Sequence, residues 1–198
     1  GVWVADTWMQ MGRPDRFVIL ECGPGRGALM SDALRATKSV EGFHEAMQVV
    51  MLETSPYLKS VQEKTLMGHG ALWISALDQL NQEVPVIIIG NELLDALSVR
   101  QLQYTDTGWL ERCVGLGIND TLSIDLKNVE KSLLSYIPPM LIAPKEDDVI
   151  EVSVARQAFV QEICKIILNQ QGSALFLDYG FIHNVPGETL QAVKNHSY

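Results

Sequence analysis

The residues of this chain best suited to chemistry are acids placed where apolar runs stop. Glu21 ends the run Phe17-Val18-Ile19-Leu20, and Glu53 ends Gln48-Val49-Val50-Met51-Leu52. Glu92 and Asp95 follow Val84 to Gly90, which reads Val-Pro-Val-Ile-Ile-Ile-Gly. Directly after Glu21 comes Cys22-Gly23-Pro24-Gly25-Arg26-Gly27, with glycine at 23, 25 and 27. Carboxylates in such places can neutralise a cation or accept hydrogen bonds from hydroxyls. A loop without Cβ atoms lets a small molecule lie against the backbone.

The elements that must position these groups follow from the pattern around them. Four consecutive apolar residues fit a strand buried on both faces of a parallel sheet, and Ala28 to Ala36 can run on as a helix. Open α/β sheets bind ligands at the carboxyl ends of their strands, which is where Glu21 and the glycines fall. Three readings of the loop stand side by side. Gly23, Gly25 and Ala28 satisfy G-x-G-x-x-G/A, the dinucleotide fingerprint that seats a pyrophosphate at a helix N-terminus, with Arg26 as a candidate phosphate partner. Glu21-x-Gly23-x-Gly25-x-Gly27 also fits the nucleotide loop of an S-adenosylmethionine (SAM) methyltransferase, whose ligand has no phosphate and carries a cationic sulfonium. A nearby carboxylate attracts such a ligand and repels pyrophosphate. The third reading is a tight strand-to-helix turn with no ligand.

The other acids are read in the same frame. In nucleotide-binding α/β folds an acid ending the second strand takes both ribose hydroxyls, and Glu53 lies 26 residues after Gly27. Its alternative is a helix-start charge, since Ser55-Pro56 reads as a cap and first turn leading into a helix over Tyr57 to Leu66. After a short strand at Ala71 to Ile74, Asp78 sits where an adenine edge would lie and could accept from its exocyclic amine, or could cap a turn. In Asn91-Glu92-Leu93-Leu94-Asp95-Ala96-Leu97 the spacing puts Glu92 and Asp95 on one face of a helical turn, across from the reactive end of a cofactor. Asn91 as a cap with ordinary surface charges is the alternative there.

Composition bounds the possibilities. With 198 residues, 47% of them hydrophobic, the chain can build one well-packed domain. Its net charge of −9 leaves no broad basic face for phosphates, so nucleic acid is excluded as the expected partner, while a basic peptide or cationic ligand fits. Cys22, Cys113 and Cys164 are odd in number and lack C-x-x-C spacing, which predicts reduced thiols and no structural metal. The longest apolar run, at Val84 to Ile89, is too short to span a bilayer, and no secretory signal opens the chain. Starting at Gly1 and ending at Tyr198, both ends read as cut from something longer.

The rest of the chain alternates strands and helices, which predicts an α/β fold with a Rossmann-like sheet over residues 1–198. Val2 to Met11 reads as a leading helix, with Trp3 and Trp8 in the core. Val99 to Tyr104 and Trp109 to Leu116 flank Asp106-Thr107-Gly108 as a β-hairpin, and Thr121 to Leu126 offers a third strand. This antiparallel excursion, at about 99–126, looks inserted to shape a substrate site. Residues 137–148 read as loop, Val154 to Gln170 as an amphipathic helix, Ser173 to Tyr179 as a buried strand and Gly187 to Val193 as the start of another.

Together, Leu20-Glu21-Cys22-Gly23-Pro24-Gly25-Arg26-Gly27-Ala28-Leu29-Met30, Glu53-Thr54-Ser55-Pro56, Asn91 to Leu97, Trp109-Leu110-Glu111-Arg112, Leu177-Asp178-Tyr179-Gly180 and Glu188 to Val193 resemble the MidA-type SAM-dependent methyltransferases, in one order over nearly the whole chain. The resemblance implies a class I methyltransferase sheet with a β-hairpin insertion, truncated at both ends. It implies SAM as cofactor and, as in the family's mitochondrial complex I assembly factors, an arginine of a partner protein as acceptor, such as a complex I subunit. By that resemblance Glu21, Gly23, Pro24, Gly25 and Gly27 would cradle SAM, Glu53 would hold its ribose, and Asn91, Glu92 and Asp95 would face the methyl group and acceptor. The chain departs from the family at Ala28, where threonine is usual, at Leu93-Leu94, where aromatics pair, and at Ser153-Val154, where Ser-Pro stands. A carboxylate can fix a guanidinium in a bidentate pair and localise its charge on the nitrogens that do not react, the part Glu92 and Asp95 would play. A non-catalytic SAM-binding assembly protein and an NAD-dependent oxidoreductase are the competing readings. The compartment would be the mitochondrial matrix in a eukaryote or the cytoplasm in a bacterium.

Overall fold

The computed structural model describes residues 1–80, 83–138, 143–180 and 186–189. The chain divides into two compact units, Gly1–Ala96 with Ala158–Tyr179, and Leu97–Gln157 with Gly180–Tyr198.

The first unit opens with α1 (Val2–Gln10), β1 (Phe17–Cys22), α2 (Ala28–Ala36), the single turn α3 (Phe43–Ala46), β2 (Met47–Leu52), α4 (Pro56–Thr65), β3 (Leu72–Ile74) and β4 (Val86–Asn91). Its five-stranded sheet is parallel, in the order β3-β2-β1-β4-β9, the last strand being Ser173–Leu177. β1 is central, and all six of its residues are buried. Strand alternation splits the core into two layers. Phe17 and Ile19 pack with Trp8, Met30, Leu34 and Phe43 on one face, while Val18, Leu20 and Cys22 pack with Val86, Ile88 and Ile163 on the other. A strand buried on both faces needs the continuous apolar run that the sequence shows. Trp8 is buried as expected, stacked on Phe17 at 6.1 Å between ring centroids. The order reverses at β1, with β2 on one side and β4 on the other, and open α/β sheets bind their ligands at the carboxyl ends of the strands beside such a switch point.

The second unit holds an antiparallel sheet of β5 (Arg100–Thr105), β6 (Gly108–Leu116), β7 (Leu122–Asn128) and β8 (Val149–Val152), with the short helix α5 (Lys131–Leu134) before β8. The strand order is β7-β6-β5-β8. The expected hairpin and its third strand are present. The sheet takes in more chain than residues 99–126, because β8 pairs with β5 from Arg100↔Val152 to Gln103↔Val149. The core of this unit is Leu102, Leu133, Ile150 and Val152. α6 (Val154–Gln170) leads back to β9 and buries Ile163, Ile166 and Gln170. Of the strand expected at Gly187 to Val193, residues 190–193 lie outside the described residues. Among the described residues no helix is long and apolar enough to cross a membrane.

Candidate active site

Glu21 continues the face of β1 that carries Phe17 and Ile19, and it is only 3% exposed. The helix that follows has Gly27 at its N-cap, with no side chain to satisfy the first backbone donors. Glu21, at the end of the preceding strand, lies close enough to that helix start for the Met30 backbone N–H to favour its charged form. Its Oε2 is buried and has no hydrogen-bond partner. Burial pushes the Glu21 carboxyl up to about 7, with the Met30 N–H pulling the other way. Burial, and then the charge of Glu21, push the Cys22 thiol up to about 12, which removes it as a nucleophile near neutral pH.

The loop after Glu21 is held open by its glycines. Gly23, Gly25 and Gly27 have φ of 65°, 54° and 80°, the left-handed region where an L side chain is strained. A Cβ on Gly23 would come within 2.8 Å of Leu93 Cδ1, whereas one on Gly25 would meet nothing within 4 Å. Gly25 is therefore the point at which a bound molecule can reach the backbone. Pro24 is buried and accepts from the Gly27 N–H at 2.8 Å, while the Arg26 side chain is exposed. The loop is fastened to α4, where Gln62 Nε2 donates to the Gly25 carbonyl at 2.8 Å and Thr65 Oγ1 to the Arg26 carbonyl at 3.1 Å.

Glu53 stands just past β2. Its Oε1 accepts from the Ser55 N–H at 2.8 Å and its Oε2 from Gln62 Nε2 at 2.9 Å. Ser55 in turn caps α4 by accepting from the Leu58 N–H, and Pro56 opens the helix. Each carboxylate oxygen retains a lone pair for a second donor. Sequence reasoning missed Gln62. Its signal was a polar residue four positions from both Leu58 and Leu66, on the inward stripe of the helix.

The segment after β4 corrects one expectation. Asn91 ends the strand, and Glu92 takes φ 51°, in the left-handed region, so Glu92 and Asp95 do not share the face of a helical turn. The segment is a turn closed by the Ala96 N–H on the Leu93 carbonyl at 3.2 Å. Asp178, just beyond β9, holds it in place by accepting from the N–H groups of Leu94 at 2.6 Å and Asp95 at 3.2 Å. The Glu92 N–H donates to the Leu177 carbonyl at 2.8 Å, which leaves the Asn91, Glu92 and Asp95 side chains exposed. Asp78 is exposed on the 3-10 turn Leu77–Gln79, and among the described residues no hydrogen bond ties it to Glu53 or to the glycine loop.

The structure thus gathers Glu21, the glycine loop, Glu53 and the turn at 91–96 at the carboxyl edge of one sheet. A concavity of about 470 Å³ beside the amino ends of β1 and β2, lined by Arg16, Phe17, Met47 and Gln48 among others, includes none of these residues. The buried, unpartnered Glu21 oxygen and the open face of Gly25 suit a cationic nucleoside ligand. The second, paired carboxylate at Glu53 suits a ribose diol.

A parallel α/β sheet of this order with acids and glycines at its carboxyl edge defines a nucleotide-type binding protein, and the comparisons narrow that class. Residues 1–198 match the family described as "Putative S-adenosyl-L-methionine-dependent methyltransferase", and the chain belongs to that family. It is similar to the mitochondrial protein arginine methyltransferase NDUFAF7 of Danio rerio, at 26% identity over 99% of this chain and 51% of that protein. The homologous protein of Drosophila melanogaster is 27% identical over 99% of this chain and 50% of its own length. The chain spans about half the length of the curated relatives it matches. Two crystal structures of Burkholderia thailandensis proteins share its fold at 24% identity and cover 90% of this chain. One has a TM-score of 0.71 over 47% of its chain, and the other, bound to S-adenosyl-homocysteine, has 0.69 over 46%.

Proposed function

We propose that this chain forms the SAM-binding part of a protein arginine methyltransferase, and that it acts on an arginine of a partner protein. The observation that carries the reading is the buried Glu21 oxygen without a donor, on the strand end that leads into a glycine loop open at Gly25. A buried carboxylate there favours a cation over a pyrophosphate, which sets the reading against an NAD-dependent one. In this proposal Gly23, Pro24, Gly25 and Gly27 shape the loop around the cofactor, Glu53 accepts from the two ribose hydroxyls, and Asp78 accepts from the adenine amine.

SAM, when bound, supplies an electrophilic methyl group. The chain's own residues have to bind and orient the acceptor. Glu92 and Asp95, exposed beside Asn91 on a turn fixed by Asp178, would hold the guanidinium and keep its positive charge on the nitrogens that do not react. The net charge of −9 is in keeping with a basic acceptor segment. The relatives' names support a protein arginine as acceptor, and the MidA-type resemblance points to a complex I subunit, in the mitochondrial matrix of a eukaryote or the cytoplasm of a bacterium.

The test is transfer of tritium from methyl-labelled SAM to protein in an extract, using the full-length protein. Glu92→Gln should keep SAM binding and reduce transfer by about 100-fold, as expected for loss of an interaction made in the transition state. Full transfer by that variant would remove Glu92 from the mechanism, and no labelled protein with the unmodified enzyme would overturn the proposed function.

A further inference from the structure

Gln62 is wholly buried on α4, and all of its hydrogen-bonding groups but one acceptor lone pair are used. Its Nε2 donates to the Gly25 carbonyl at 2.8 Å and to Glu53 Oε2 at 2.9 Å, and its Oε1 accepts from Trp73 Nε1 at 2.8 Å. The indole N–H can only donate, and the carbonyl and carboxylate can only accept, so the amide has one permitted orientation. Trp73 therefore fixes the direction of the two N–H bonds that Gln62 sends to the loop and to Glu53. Lys59 lies over the Trp73 ring at 5.9 Å and adds a second contact to it.

We propose that Gln62 is a positioning residue that aims the Glu53 carboxylate, and that it thereby sets the preference of the site for a ligand with two free ribose hydroxyls. This rests on the reading of Glu53 as the ribose acceptor. The Ser55 N–H grips one carboxylate oxygen and Gln62 the other, which restricts rotation of the group and leaves each oxygen one lone pair for a further donor. Because the same amide holds the Gly25 carbonyl, the loop and the ribose acceptor are set against each other by a single side chain. Without it the carboxylate is held on one side only, and the Gly25 carbonyl and the Trp73 N–H lose their partner.

The experiment compares binding of S-adenosyl-homocysteine with that of its analogue lacking both ribose hydroxyls, by calorimetry on the full-length protein. The unmodified protein should prefer the diol by about 150-fold, the value of two hydrogen bonds to a charged acceptor at the weak end of their range. Gln62→Met, which keeps volume and removes the amide, should reduce that preference to about 5-fold or less. Trp73→Phe leaves Gln62 in place and frees its orientation; it should give an intermediate ratio, and it serves if the Met variant fails to fold. A purely structural role would weaken both ligands equally and leave the ratio at its original value in both variants, which would overturn the inference while the ribose reading stands. A ratio near one in the unmodified protein, or a ratio unchanged by Glu53→Gln, would remove the ribose reading and this inference with it.

Discussion

Glu21→Gln should make the protein more stable and a poorer binder at the same time. The carboxyl is pushed up from its ordinary value of 4.5 to about 7 by burial. Between those values the folded chain holds a proton that the unfolded chain has lost, so stability falls as pH rises through the window. The full difference amounts to about 3 kcal/mol once pH exceeds 7. Glutamine has nearly the same shape and has no charge to desolvate. The variant should therefore match the unmodified protein within about 0.5 kcal/mol near pH 4 and exceed it by about 3 kcal/mol at pH 8. Urea unfolding of both proteins at four pH values measures this, and taking the difference at each pH cancels the other acids. Ligand binding should move the opposite way. A cation beside Glu21 favours its ionised form, so SAM affinity should rise with pH up to about 7 by as much as about tenfold per pH unit, and Glu21→Gln should flatten that dependence. A stability difference that does not change with pH would refute the argument, because it would mean that the carboxylate is solvated in the folded chain.

Two other changes separate ligand contacts from scaffold. Gly25→Val places a Cβ where nothing beyond the neighbouring residues lies within 4 Å, so its cost to the fold should be mainly backbone strain at φ 54°, about 1 to 2 kcal/mol, while S-adenosyl-homocysteine affinity falls at least about 100-fold. Calorimetry and thermal unfolding on the same sample distinguish the two effects, and retained affinity would show that the ligand does not approach this glycine. In the second unit, Arg100 grips both oxygens of Glu111 at 2.6 Å, and this pairing holds the Glu111 carboxyl below its ordinary value. Arg100 is 37% exposed, so with solvent screening the expected loss for Arg100→Leu at pH 7 is about 1 kcal/mol. That loss should shrink as pH falls through the lowered Glu111 value, because the carboxylate then protonates in either protein. An equal deficit at pH 7 and pH 3, by urea unfolding, would assign the effect to packing.

What the sequence disclosed is what short stretches determine alone. β1 shows itself as a run of apolar residues, and the loop as three glycines whose left-handed backbone only glycine takes without strain. β8 went unread because four residues between an acidic turn and a helix carry too little alternation, and only the distant register with β5 makes them a strand. The helical turn expected at Glu92 failed for a related reason. The spacing of two acids is a local fact, but the left-handed backbone at Glu92 is set by Leu177 and Asp178, which are more than 80 residues away in sequence.

Two of the strand-end acids share a device that neither displays alone. Glu53 accepts a backbone N–H from Ser55, and Asp178 from Leu94 and Asp95, so these carboxylates anchor segments leaving the sheet, while the Met30 N–H at the start of α2 acts on the charge of Glu21. An acid at the end of a buried strand is therefore ambiguous in sequence, because anchoring alone accounts for it. The remaining valence separates the cases. Both oxygens of Glu53 already have donors and lose little in the absence of a ligand, while Glu21 keeps one buried oxygen unmatched. Anchoring a segment requires an oxygen that accepts, so it does not explain one buried without a donor at a cost in stability. A cationic ligand at the glycine loop would offset that cost, which makes Glu21 the acid whose placement argues most directly for binding.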